Sequence, residues 1–271
     1  MRLGLVVEGS HLYHKRTQVD LLEQLWSKEI PRAVGCATPA KVFGISKGSL
    51  AAMTLKKTAL RRTTAIAEPL DAVLERVRVT HNIDCFVVVW DLVPPWDKQA
   101  QMCRWTETLG FYEGLSLSDT LDARFRDFAA ARFNEMRQRV APSAREQVPK
   151  LVRGGVLAVC VEPLFESVFM DERAMKGSLG IARKHAKGWP AGWDSGNANA
   201  SEVIGAAVDA GRDAKPPSLV FRRIRQGYET LKTEWGIHFI QSRAFDNSLR
   251  RHPLGKRLAE IRIPHKIPHK R

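Results

Sequence analysis

The chain has 271 residues, 44% of them hydrophobic, which is enough to bury a sizeable core and excludes wholesale disorder. No run approaches the roughly 20 apolar residues of a membrane-spanning helix, and the amino terminus carries no signal-peptide h-region, so the expectation is a cytoplasmic protein with no membrane partner. Its 43 Lys and Arg outweigh 29 Asp and Glu, a net charge of +14 and a pI near 10.0, and that balance favours polyanions, nucleic acid first.

In chain order, "LGLVV" (residues 3 to 7) is a continuous apolar run rich in β-branched residues, which predicts a buried strand with Glu8 at its carboxyl end. The stretch from Ser10 to Ile30 predicts a helix capped by Ser10, with Leu12, Val19, Leu22 and Trp26 at helical spacing and Pro31 as its stop. "AKVFGI" (residues 40 to 45) predicts a second strand, followed by the basic stretch "SKGSLAAMTLKKTALRRT". Thr63 to Thr80 alternates apolar and charged residues with a period of three to four, and "DCFVVVW" then predicts the clearest strand, running into Asp91. Residues 94 to 153 are mainly helical in pattern. "GVLAVCVE" predicts another strand, ending near Glu162, with a helical "LFESVFMDERAM" after it. "KGWPAGWDSGNANAS" has the composition of a loop, "GIHFIQ" predicts a late strand, and the tail "RIPHKIPHKR" is a basic arm without core-forming periodicity.

Strands alternating with helices are the grammar of a parallel sheet covered on its faces. The four cysteines, Cys36, Cys85, Cys103 and Cys160, form no C-x-x-C pair and are expected as buried reduced thiols, not zinc ligands. No G-x-x-x-x-G-K-[ST] loop is present, so P-loop ATPase activity is not expected.

Three carboxylates follow three of the predicted strands: Glu8, Asp91 and Glu166. In a parallel sheet all carboxyl ends lie along one edge, where ligands bind. Carboxylates gathered there repel each other unless a cation neutralises them, and a hard divalent ion such as Mg²⁺ or Mn²⁺ takes oxygen ligands of this kind. Singly, each has an ordinary alternative: Glu8 as a helix-start residue, Asp91 as the opening of a turn before Pro94, Glu166 as part of a solvated helix face. His11, three residues after Glu8, either faces the same crevice or is a half-exposed helix residue.

"GLVVEGS" resembles the first motif of the Toprim domain, "CFVVVWD" is similar to its third strand, and "EPLFESVFMD" resembles a Pro-x-Phe-Glu stretch of Toprim-like proteins from bacterial phage-defence loci. The resemblance spans residues 1 to 185 through short motifs. It implies a Toprim-like (Rossmann-like) parallel sheet flanked by helices and Mg²⁺-dependent phosphoryl-transfer chemistry, with nuclease action most common in these outlying families. It also implies an ATPase encoded nearby as a partner subunit. The chain departs from the family at the Asp-x-Asp motif, where Val93 stands in place of the second carboxylate. Asp97, across two prolines, and Asp171, beyond Glu166, are the candidate replacements. Topoisomerase or primase action would need further domains.

The basic cluster Lys47, Lys56, Lys57, Arg61 and Arg62 is the candidate nucleic-acid contact near the ligand edge. Lys184 is the candidate cation for charge developing at a reacting phosphate. Trp189 and Trp193 beside it are base-stacking platforms or hydrophobic lids, and His265 and His269 sit too loosely in the tail to be read as ligands.

The expected organisation is a catalytic core over 1 to 185, with a helical insert around 98 to 153, and a basic helical C-terminal region and tail over 186 to 271. The expected function is divalent-metal-dependent cleavage of DNA or RNA in anti-phage defence, with Glu8, Asp91 and Glu166 at the metal and Asp97 or Asp171 assisting. One rival is a non-catalytic nucleic-acid-binding or assembly subunit with a degenerate site. Another is a PIN-like nuclease, which usually opens on Asp rather than Glu-Gly. The apolar helix stripes leave self-association open.

Overall fold

The computed structural model describes residues 1–9, 11, 13, 19–46, 48–50, 68–92, 104–138, 150–161, 165–170 and 239–261. Four parallel strands, β1 (Leu3–Glu8), β2 (Lys41–Ile45), β3 (Cys85–Asp91) and β4 (Val156–Val161), form one sheet in the order β2-β1-β3-β4. Leu5 pairs with Val42 on one side and Val87 on the other, and Val88 pairs with Ala158. The chain therefore leaves β1 toward β2 and returns past it to β3. The boundary between β1 and β3 is the topological switch point, where open α/β sheets form their ligand crevice.

The strands alternate because both faces are covered. Leu3, Leu5, Val7, Val87, Val89, Leu157 and Val159 enter one core cluster, whereas Val6, Phe86, Val88, Trp90 and Ala158 enter the other. The second face is closed by α3 (Leu70–His81), α4 (Arg104–Ser116) and α5 (Ala123–Gln138). In α3, Leu70, Val73, Leu74 and Val77 make a single buried stripe. Asn82, at φ 52°, closes that helix in the left-handed conformation. The helices of the expected insert are thus the layer that covers this face. Tyr112 in α4 also protects the sheet edge, since its hydroxyl accepts the Ala158 N–H at 3.1 Å on the side of β4 turned away from β3.

The first face carries α1 (Leu21–Gln24), a π-helical turn (Leu25–Glu29) and α2 (Ile30–Val34), together with α6 (Arg243–Arg251) and α7 (Pro253–Glu260). Phe245, Leu249, Leu254, Leu258 and Ile261 join the same cluster as β1, β3 and β4. The C-terminal helices are therefore a wall of the sheet as well as a basic surface. The expected domain boundary at 185/186 lies outside the described residues.

Four local expectations change. The first helix begins at Leu21, not after Ser10: the Asp20 carboxylate accepts the N–H groups of Leu22 and Glu23, while Tyr13 forms an antiparallel bridge with Asp20. Pro31 does not end it. The π turn brings the Ile30 N–H to the Leu25 carbonyl, a wider winding that accommodates a residue with no N–H, and the helix continues to Val34 and closes on Gly35 at φ 71°. Finally, within "GIHFIQ", Phe239 and Ile240 are helical, not extended, and buried; a short apolar run carries no period to separate the two states. The predicted helix from Leu164 opens as a 3-10 turn, Phe165–Met170. Among the described residues, no helix is long and apolar enough to cross a membrane.

Candidate functional site

Glu8 is the last residue of β1 and half-buried, and its Oε2 accepts the backbone N–H of Asp91 at 3.0 Å. Asp91 is the last residue of β3, and its Oδ1 in turn accepts the Phe165 N–H at 2.8 Å. Phe165 opens the 3-10 turn after β4. Two carboxylates therefore link the carboxyl ends of three strands across the switch point, and the residue that follows Phe165 is Glu166.

Gly9 makes this edge sharp. Its φ of 145° lies in a region closed to most side chains, and its N–H donates to the Ile45 carbonyl at 3.0 Å. A Cβ on Gly44 would stand 2.6 Å from the Gly9 carbonyl oxygen, so β2 and the loop after Glu8 approach only because both positions are glycine. His11 adds the next tie. Its Nε2 accepts the Gly44 N–H at 3.2 Å and its Nδ1 bonds the Asp20 carboxylate that caps α1. One ring nitrogen thus holds an amide of β2 and the other the carboxylate that caps α1, a structural role for an exposed residue that lies outside the helix expected for it.

Of the sequence candidates, the fold brings Glu8 and Asp91 together and places the backbone of Glu166 immediately beyond them. The side chain of Glu166, and all of Asp97, Asp171, Lys184, Lys47, Lys56, Lys57, Arg61 and Arg62, lie outside the described residues. Among the described residues, no three His, Cys, Asp or Glu side chains are grouped as a metal site. The donor set is nonetheless suited to Mg²⁺, which keeps several waters and is commonly held by one or two carboxylates.

Glu107 was not singled out from sequence. It is 9% exposed, and burial pushes its carboxyl up to about 6. Phe111, one turn later on the same helix face, stacks on Trp90 at 5.1 Å, and Tyr112 reaches the middle of β4. Helix α4 thus runs away from the carboxyl edge, and Glu107 stands one turn nearer to it than Phe111. The signal was its register: Glu107, Phe111 and Leu115 are spaced four apart on an otherwise apolar stripe.

A buried Ser–His pair lies on the first face. Ser167 Oγ and His252 Nε2 are 2.7 Å apart. His252 Nδ1 accepts the Leu254 N–H at 3.1 Å as the cap of α7, so a neutral imidazole carries its proton on Nε2 and donates it to Ser167. That tautomer cannot take a proton from the serine, and the pair is a structural clasp, not a nucleophile and base.

The fold and this edge define an α/β protein with a four-stranded parallel sheet and a carboxylate-flanked switch point. No family model matches the chain, and no curated protein or solved structure matches it either.

Proposed function

We propose that the chain is a divalent-metal-dependent nuclease with a Toprim-like core, cutting DNA or RNA phosphodiester bonds. The observation that carries this reading is the meeting of Glu8 and Asp91 at the β1/β3 switch point, joined by one hydrogen bond. Glu8, Asp91 and Glu166 are the residues that would hold Mg²⁺ or Mn²⁺. Such an ion, when bound, lowers the pKa of a water and steadies negative charge on a phosphate oxygen. Glu8 fixes the end of β3 through the Asp91 N–H, and Asp91 fixes the start of the turn that carries Glu166. Both keep the acidic positions of the site in a constant relation. The net charge of +14 supports a polyanionic substrate.

The test is cleavage of labelled DNA and RNA with Mg²⁺ or Mn²⁺, comparing the wild type with Glu8→Gln. Metal-dependent cutting that the variant loses is expected; equal cutting by both proteins overturns the assignment of Glu8. A second reading, a non-catalytic nucleic-acid-binding subunit, has one observation in its favour. Each of the two carboxylates already spends an oxygen on a backbone N–H. Binding without cutting in both proteins supports it.

A further inference from the structure

We propose that α6 and α7, with the exposed side of the π turn and α2, form a nucleic-acid-binding surface that grips the phosphate backbone separately from the Glu8–Asp91 edge. Residues 243 to 271 hold nine Lys and Arg against two Asp and Glu, and five of those nine cations fall within α6 and α7 themselves. The described part of this stretch is not a loose arm. Phe245, Leu249, Leu254 and Leu258 are buried against the sheet. Ser248 Oγ donates to the Val168 carbonyl, and the Ser167–His252 clasp holds the junction of the two helices. Arg32 of α2 bonds Asp246 of α6 at 2.7 Å, and Arg250 Nε donates to the Ala33 carbonyl.

With the apolar side consumed, the cations are what the helices present. Arg243, Asn247 and Arg250 lie at i, i+4 and i+7, one exposed stripe about 10 Å long. Arg251 and Lys256 of the same two helices are also exposed, as are Lys28 of the π turn and Arg32 of α2, the last with its guanidinium held by Glu29 and Asp246. Asp246 is engaged by Arg32 and Glu260 lies 3.9 Å from Arg257, whereas Arg243 and Lys256 meet no carboxylate among the described residues. A rigid row of guanidinium and ammonium groups complements a polymer of regularly spaced phosphates.

A lipid surface fits less well. An interfacial helix must offer an apolar face to the acyl boundary, and the apolar faces of α6 and α7 are spent on the core. Among the described residues, the exposed large hydrophobic side chains are Met1, Tyr13, Val79, Leu117 and Val152, none of them on these helices.

The test is fluorescence anisotropy of a labelled single-stranded RNA and a labelled DNA duplex with the full chain in EDTA, so that cutting does not intervene. Salt is varied between about 50 and 200 mM. The double variant Arg243→Glu/Lys256→Glu alters two groups that meet no carboxylate among the described residues, and unfolding curves matching the wild type confirm that it folds. We expect wild-type binding that weakens with salt, a loss of roughly tenfold or more in the variant, and a salt slope shallower by about two. Unchanged affinity in the folded variant overturns the proposal, as does wild-type binding to phosphatidylserine vesicles with none to nucleic acid. Glu8→Gln should bind as the wild type does. Loss of cutting in Glu8→Gln with retained binding separates this surface from the cleavage reading, and failure of either leaves the other standing.

Discussion

The carboxylate of Glu8 accepts the backbone N–H of Asp91, so the last side chain of β1 satisfies the last amide of β3. The side chain proposed for chemistry is therefore also a structural tie across the switch point. Shortening Glu8→Ala leaves a half-buried N–H without its acceptor and should cost about 1–3 kcal/mol. Glu8→Gln retains a carbonyl oxygen in the same place and should cost less than about 1 kcal/mol. Urea unfolding of both variants at neutral pH checks this; equal losses would mean that the hydrogen bond contributes little.

Asp91 acts on the turn after β4. Removal of its carboxylate in Asp91→Ala should release the Phe165 N–H, at a cost of about 1 kcal/mol comparable to a lost helix cap. Amide exchange at Phe165 should accelerate, while exchange in the middle of β4 stays slow. Unchanged protection at Phe165 would show that the turn is held by other contacts.

His252 gives the fold an acid limit. Burial holds its imidazole down to about 4, against an ordinary value of 6.5. Between those values the unfolded chain binds a proton that the folded chain refuses, so stability falls as pH drops from 6.5 toward 4. The decline amounts to as much as about 3 kcal/mol and ends below pH 4, where both states are protonated. His252→Asn offers an amide oxygen in place of the capping Nδ1 and removes the titration. It should lower stability at pH 7.5 and flatten the profile below 6.5, as denaturant midpoints across that range will show.

Glu107 works in the opposite direction. Its carboxyl, raised from 4.5 to about 6 by burial, binds protons in the folded state that the unfolded chain has released. Stability contributed by the neutral form is therefore full below pH 4.5 and declines as pH rises through 6, by about 2 kcal/mol. Glu107→Gln should stabilise the protein by about 1–2 kcal/mol at pH 7.5 and have little effect at pH 4. A loss of stability at pH 7.5 would mean that the charged carboxylate has a favourable role.

The thiols of Cys36 and Cys85 are pushed by burial up to about 11 and about 12. Alkylation of either by iodoacetamide at pH 8 should await unfolding, because the thiolate is the reactive form. Rapid labelling of the native chain at Cys85 would contradict its burial at the start of β3, beside β1.

The strands were legible because a parallel sheet buried on both faces needs continuous apolar runs, and "LGLVV", "CFVVVW" and "VLAVCV" supply them. The strand ends, and with them Glu8 and Asp91, followed from the same runs. The start of α1 was obscured because Leu12 and Val19 imitate helical spacing, although Asp20-Leu-Leu-Glu23 carries a capping signature. In α6 and α7, basic composition drew attention away from Phe245, Leu249, Leu254 and Leu258, which bury the helices against the sheet. The hydrogen bond from Asp91 to Glu8 depends on strand order, and sequence alone does not state that β1 and β3 are neighbours.

Glu8 and Asp91 are proposed to share a divalent ion at the switch point, and direct Mn²⁺ titration followed by electron paramagnetic resonance tests this. Stoichiometric Mn²⁺ binding by the wild type, lost in Glu8→Gln and Asp91→Asn while both variants stay folded, is the predicted result. Binding that neither substitution weakens, or no binding by the wild type, would contradict it.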